Sequence, residues 1–286
     1  MSGIELDIIV FPHFRRVIGC LGWRIDSNLQ TLESECHYFI KFQMRDLVLI
    51  YRYAKYSKKQ ILSQTIAYQI AGDLVPKIYY TDENSIIEEF VHGLELNVDC
   101  DDLVLEKVAY IIDRLHQLKM NGFGRLETPT NATMESWDDY NFSIIENLSS
   151  IEASNLFSAM DFKRFKTYMM SPPLPSDLTT KVCHGDICLR NILYSSRTKD
   201  AQLIDWEQVS ANYREFDFVL LASFQDPKSK EIYDKIKTFY PHDLNEELII
   251  YFKLRRVVSS YKTFKEDISL LNAMNSRLLE YRKYFV

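Results

Sequence analysis

The chain of 286 residues is long enough for one large domain or two lobes, and 47% hydrophobic against 26% charged residues excludes wholesale disorder. A formal net charge of −6 excludes the basic footprint of a nucleic-acid binder, so an anionic ligand must be met by local cations or by metal. The five cysteines (Cys20, Cys36, Cys100, Cys183 and Cys188) form no CxxC pair and fit a reducing compartment. Glu5 and Asp7 precede any apolar run, and no run approaches the length of a membrane span. A soluble, cytoplasmic protein without signal peptide or membrane span is expected.

In chain order, residues 4–30 carry a short helix and a turn near Gly19 and Gly22. Residues 38–42 and 47–53 are rich in β-branched and aromatic side chains, and with Met44, Arg45 and Asp46 between them they predict a hairpin. Leu62, Ile66 and Ile70 recur at four-residue spacing in a helix over 58–71 that Gly72 stops. Two more strands are predicted at 75–80 and 85–91. Asp101 and Asp102 cap a helix with the stripe Val104, Val108, Ile111, Leu115 and Leu118. A loop follows over 123–137, then a helix opened by Ser136 and Asp139 with Trp137, Tyr140, Ile144 and Leu148 on one face. Helices are predicted over 154–170, 218–224, 245–264 and 268–284.

Residues 182–207 carry the chemistry. Ile192 to Tyr194 and Gln202 to Ile204 flank the polar run 195–200, a hairpin whose expected centre at Thr198 sets Asn191 opposite Asp205. An amide oxygen and a carboxylate converging on one point suit a hard cation such as Mg²⁺. Asp186, five residues before Asn191, is a second carboxylate placed to accept a proton. One base, two metal ligands and no nucleophile are the inventory of phosphoryl transfer. Cys183, His184, Asp186 and Cys188 lack the second ligand pair of a structural zinc site.

The order His184-x-Asp186-x4-Asn191, then Ile204-Asp205, resembles the core of the kinase-like phosphotransferases, which include aminoglycoside phosphotransferases and choline kinases. Ile204-Asp205-x-Glu207 followed by Asn212-Tyr213-Arg214-x-Phe216-Asp217 looks most like the choline/ethanolamine kinases. The resemblance implies an α+β, two-lobed protein-kinase-like fold. Residues 1–91 would form a small antiparallel-sheet lobe for the nucleotide, and 92–286 a larger, mainly helical lobe for catalysis and acceptor. ATP, with GTP possible, and Mg²⁺ are the implied cofactors.

By the same resemblance Arg52 is the cation for the α/β-phosphates, with Lys41 and Lys55 as rivals, and backbone groups of Glu89 and Val91 meet the adenine edge. Asp186 is the base, Asn191 and Asp205 hold the metal, and Asp217 anchors the catalytic loop. Glu207 lies beside the metal or is solvated, and His116 is expected to be structural. The chain departs from the family pattern in three places. The phosphate loop near 32–37 has no glycine but has Glu33 and Glu35, Gln64 stands where a helix acid is expected, and Gln208 replaces a tyrosine.

The implied acceptor is small, hydroxylated and cationic, choline or ethanolamine. An aminoglycoside, thiamine or another metabolite, and a catalytically weak ligand-binding relative, are the alternatives. Tyr251, Phe252, Tyr261, Phe264, Tyr281 and Tyr284 read either as core or as faces for a quaternary ammonium. The family's acceptor acid falls near Phe224 and Gln225, with Asp226 beside them.

Overall fold

Alternating apolar side chains organise the first half of the chain into a five-stranded antiparallel sheet. The computed structural model describes residues 9–26, 29–175, 177–222, 226–263 and 267–285. Strands β1 (Gln30–Glu33), β2 (His37–Met44), β3 (Leu47–Ala54), β4 (Ile78–Thr81) and β5 (Ser85–Glu89) pair in the order β1-β2-β3-β5-β4. Helix α1 (Phe11–Cys20) lays Phe14, Val17 and Ile18 on Ile40, Phe42, Leu49 and Tyr51, and these form one buried cluster. Helix α2 (Lys58–Ala71) follows β3 and ends at Gly72, whose φ of 54° is the left-handed turn a glycine accepts without strain.

Contacts divide the chain into two units, Met1–Leu96 with Arg190–Val209, and Asn97–Leu189 with Ser210–Val286. The single cut expected after residue 91 therefore differs from the observed division. The reason is strand pairing: β6 (Leu94–Glu95) and β11 (Ala201–Leu203) flank β10 (Ile192–Tyr194) in a three-stranded sheet. Gly93 permits this, because a Cβ there would lie 3.0 Å from Leu193 Cβ and from the backbone of Tyr194.

In the second unit, Asp101 caps helix α3 (Asp102–His116) by accepting from the Leu103 N–H, and Val104, Val108, Ile112 and Leu115 are buried. Strands β7 (Phe123–Leu126), β8 (Ala132–Met134), β9 (Lys181–Cys183) and β12 (Ser210–Asn212) form a second small sheet in the order β8-β7-β12-β9. β7 lies where a loop was expected. Its strand character comes from pairing with β12, more than 80 residues further on.

The single helix predicted after Ser136 is two, α4 (Trp137–Phe142) and α5 (Ile145–Ala153), separated by a turn at Ser143 and Ile144. Helix α6 (Ala159–Met170) starts at the Ser158 cap rather than near residue 154. Helices α7 (Pro227–Phe239), α8 (Glu246–Tyr261) and α9 (Ile268–Glu280) complete the unit. The helix expected over 218–224 is not formed in its described part: Phe218 ends a 3₁₀ segment, Arg214–Phe218, and residues 219–222 are a turn, while Phe224 and Gln225, like Phe264, lie outside the described residues. Tyr251, Phe252, Tyr261 and Tyr281 are buried in the helical core, with Tyr284 packed against it. Among the described residues no helix is long and apolar enough to cross a membrane.

Candidate active site

In the first unit, the β10–β11 hairpin pairs Ile192 with Leu203 and Tyr194 with Ala201. Asn191 therefore lies opposite Ile204, whose N–H donates to the Asn191 carbonyl at 3.0 Å, and not opposite Asp205 as predicted. The one-residue shift follows from the turn. Ser195 accepts from Lys199, Asp200 accepts from Ser195, and Lys199 takes a left-handed φ of 61°. Asp205 still sits at the open end of the hairpin, one residue beyond the pairing. Its own φ of 67° and ψ of 59° are left-handed, a conformation that aspartate tolerates better than most residues. Trp206 fixes this turn: its ring is fully buried, its Nε1 donates to Leu203, and its N–H donates to Gln64 Oε1 at 3.0 Å.

Arg52 on β3 is 8% exposed and gathers three carboxylates. Nη2 donates to Glu88 Oε1 at 3.0 Å, and Nη1 donates to Glu207 Oε1 at 2.6 Å and to Asp205 Oδ1 at 3.3 Å. Glu88 lies diagonally across the β3–β5 pairing, within reach of a long side chain. Gln64 Nε2 donates to the other Glu88 oxygen at 2.7 Å. The residue standing where an ion-pairing acid was expected thus acts through its amide, and the acid itself comes from β5.

Burial works against the charge on Arg52, yet Glu88, Asp205 and Glu207 outweigh it and hold the guanidinium above its ordinary pKa. Burial raises Glu88, and it pushes Glu207 up to about 7 despite Arg52. His37, 3.3 Å from Glu207, is driven down to about 4 by burial and by Arg52.

Glu207 is accordingly neither solvated nor idle, because it is an ion-pair partner of Arg52. The rival cations are engaged elsewhere: Lys55 bonds Glu33 at 2.6 Å, and Lys41 lies 3.6 Å from the Phe90 ring centroid. Glu33, the last residue of β1 before the glycine-free turn, is thereby paired with a cation.

Replacing Gln64 with glutamate sets a carboxylate against Glu88 and removes the donor it depends on. Gln64→Glu is expected to lower unfolding free energy by about 1–3 kcal/mol in urea titrations. Unchanged stability would show that the amide does not bond Glu88.

Three carboxylates share one guanidinium here, and Asp205 has a side chain 43% exposed. The donor set of an Asn191 amide oxygen and an Asp205 carboxylate, in a locally negative setting, fits Mg²⁺. A cavity of about 280 Å³ in the same unit is lined by Ile50, Phe90, Leu193 and Ile204 together with Arg52 and Asp205. The N–H of Glu89 donates to Lys77 and that of Phe90 to Val48, both at 2.9 Å, so the extended chain alternates sides here.

Asp186 belongs to the second unit. It follows β9 and Gly185, whose φ is 83°. Asp217 clamps this loop, with Oδ2 accepting the His184 N–H at 2.9 Å and Oδ1 the Gly185 N–H at 2.7 Å. His116 holds Asp217 in turn, with Nε2 at 3.0 Å from Oδ2 and Nδ1 at 2.7 Å from the Tyr240 hydroxyl. His116, Cys183 and Asp217 come within 4.8 Å of one another, but both Asp217 oxygens already serve this bracket.

Arg256 of α8 donates from Nη2 to Asp186 Oδ1 at 3.2 Å and from Nη1 to the Gly185 carbonyl at 2.8 Å. Asp226, beside the expected acceptor acid, caps α7 by accepting from Lys228 and Ser229. Sequence reasoning missed Glu88, His37 and Arg256. The available signals were an acid within the apolar run of β5 and an arginine among the apolar residues of α8.

The fold is that of the kinase-like phosphotransferases. A thermostable mutant of aminoglycoside phosphotransferase APH(4)-Ia, in ternary complex with ADP and hygromycin B, superposes with a TM-score of 0.68 at 14% identity, covering 94% of this chain and 97% of that one. A fructosamine-3-kinase-like protein of Thermobifida fusca gives 0.68 at 16% identity, covering 94% and 96%. Residues 37–249 match the choline/ethanolamine kinase family model, and the chain belongs to that family. Ethanolamine kinase 1 of Mus musculus is 26% identical over 191 residues, which is 61% of this chain and 50% of the relative. The chain spans about half the length of the curated relatives it matches.

Proposed function

We propose that the protein is a phosphotransferase that moves the γ-phosphoryl group of a magnesium-bound nucleotide to the hydroxyl of a small acceptor. ATP is the expected donor, with GTP the second, and family membership makes ethanolamine or choline the first acceptors to test. The observation that carries this reading is the loop of Asp186. A buried aspartate bonds its two preceding N–H groups while Arg256 holds the carboxylate of Asp186 itself. Such bracing positions a base at small reorganisation cost, and positioning is most of what phosphoryl transfer asks of a protein.

In this reading Asp186 accepts the proton of the acceptor hydroxyl or orients that hydroxyl toward the phosphorus. Asn191 and Asp205 would hold the magnesium, which when bound would neutralise charge on the phosphates. The Glu89 carbonyl and the Val91 N–H, on one side of the alternating strand, face the base in the cavity beside Phe90. Arg52 lies at the phosphate end, balancing Asp205. The five cysteines, all free, support a reducing compartment such as the cytoplasm.

A binding-only reading is favoured by one observation, that Arg52 is already committed to three carboxylates. Thermal unfolding separates nucleotide binding from none. At one hundred times Kd a ligand adds about 2.7 kcal/mol to the folded state, a rise of several degrees in Tm. Mg-ATP or Mg-GTP should give that rise, and nucleotide without Mg²⁺ a smaller one. No shift with either nucleotide at millimolar concentration would count against the proposal.

A further inference from the structure

The second unit contains a cavity of about 340 Å³ between α8 and α9, and its lining has an unusual charge. Lys253, Arg256 and Arg277 contribute to its wall with Ser260 and Tyr281, and no carboxylate lines it among the described residues. Arg256 joins this cavity to the loop of Asp186 through the bonds given above. Its side chain is 36% exposed, and a guanidinium with two bonds made has N–H donors to spare. Lys253 is 6% exposed, and its ammonium donates to the Ala222 carbonyl. Burial pushes it down to about 8, although Glu246 and Glu280 pull the other way. Arg277, in the last turn of α9, is exposed and lines the cavity.

We propose that this cavity is an anion site that takes the phosphate or carboxylate group of a small metabolite next to Asp186. Three basic residues line one cavity, and the spare N–H groups of Arg256 and Arg277 can give an anion charge-assisted hydrogen bonds there. A bare ammonium placed in the same space meets three like charges and, among the described residues, no lining carboxylate. Two sources share this chemistry. The anionic group belongs either to the acceptor itself, beside its hydroxyl, or to the phosphorylated product. The assignment to acceptor or product rests on the proposed phosphotransferase reading, whereas anion binding is measured without it.

The test is calorimetric titration of the full chain with inorganic phosphate, phosphoethanolamine and glycerol 3-phosphate, alongside ADP as a control ligand. The expected result is saturable binding of the phosphate esters that Arg277→Glu weakens at least tenfold and Arg277→Lys preserves. ADP affinity and melting temperature should be the same in all three proteins. Phosphorylation of glycerol 3-phosphate or glycerate in preference to ethanolamine and choline assigns the anion to the acceptor. Binding of phosphoethanolamine, with only the amino alcohols phosphorylated, assigns it to the product. Absence of anion binding, or binding that Arg277→Glu leaves at the wild-type affinity, overturns the proposal.

Discussion

Asp186→Asn is expected to lower kcat for phosphoryl transfer by roughly 10²–10⁴, the range lost with a positioned general base, while nucleotide affinity stays at its wild-type value. The substitution keeps the shape of the side chain and an oxygen for Arg256, and removes the negative charge and with it the capacity to take a proton. The loop itself depends on Asp217, whose carboxylate holds the N–H groups of His184 and Gly185 and is held by His116. The asparagine variant should therefore melt within a degree or two of the wild type. Steady-state kinetics and nucleotide titration on one preparation check both halves. A loss of activity matched by a loss of stability would assign Asp186 to the fold and not to the chemistry.

The second large effect is on stability. Arg52→Met leaves Glu88, Asp205 and Glu207 without their shared cation, and stranding buried charge typically costs about 3–5 kcal/mol. The loss is expected to depend on pH. Glu88 and Glu207 already have folded-state pKa values above their ordinary ones, and removal of the guanidinium raises them further. An acid raised in this way binds a proton on folding. Its contribution is fully present below the unfolded pKa and is lost as pH rises through the folded value, about 7 for Glu207 in the wild type.

The gap between variant and wild type should therefore be smaller at pH 5.5 than at pH 8. His37 runs the opposite way: its folded value near 4 gives stability above its ordinary 6.5 that is lost as pH falls toward 4. Removing Arg52 relieves one of the causes of that depression, which also favours the variant at low pH. Urea unfolding at both pH values measures the gap. A difference below 1 kcal/mol, or one independent of pH, would contradict the ion-pair account.

The hairpin of the 182–207 segment was legible because its signal is local. Asp186, Asn191 and Asp205 lie within one short stretch, and alternating apolar and polar runs announce the hairpin. Its register was misplaced by one residue, since the left-handed Lys199 that sets the turn leaves no trace in hydrophobic pattern. The partners of Arg52 were hidden for a different reason: Glu88 is 36 residues away and Glu207 is 155.

Helix α2 shows the same limit. The stripe Leu62, Ile66 and Ile70 predicts an apolar inner face, yet Leu62 is 52% exposed, and Ile61, Ser63, Gln64 and Ala67 are buried with Ile66. The inward face is partly polar because Glu88 and the Trp206 N–H require partners, a demand made by distant parts of the chain. The aromatic residues of α8, readable as core or as a ligand cage, are core.

Transfer of label from [γ-³²P]ATP tests the central claim most directly. With Mg²⁺ and either ethanolamine or choline, the account predicts a labelled phosphomonoester whose formation requires the acceptor, the metal and Asp186. Label recovered only as the rate of inorganic phosphate seen without protein, for every acceptor and for both nucleotides, would contradict it.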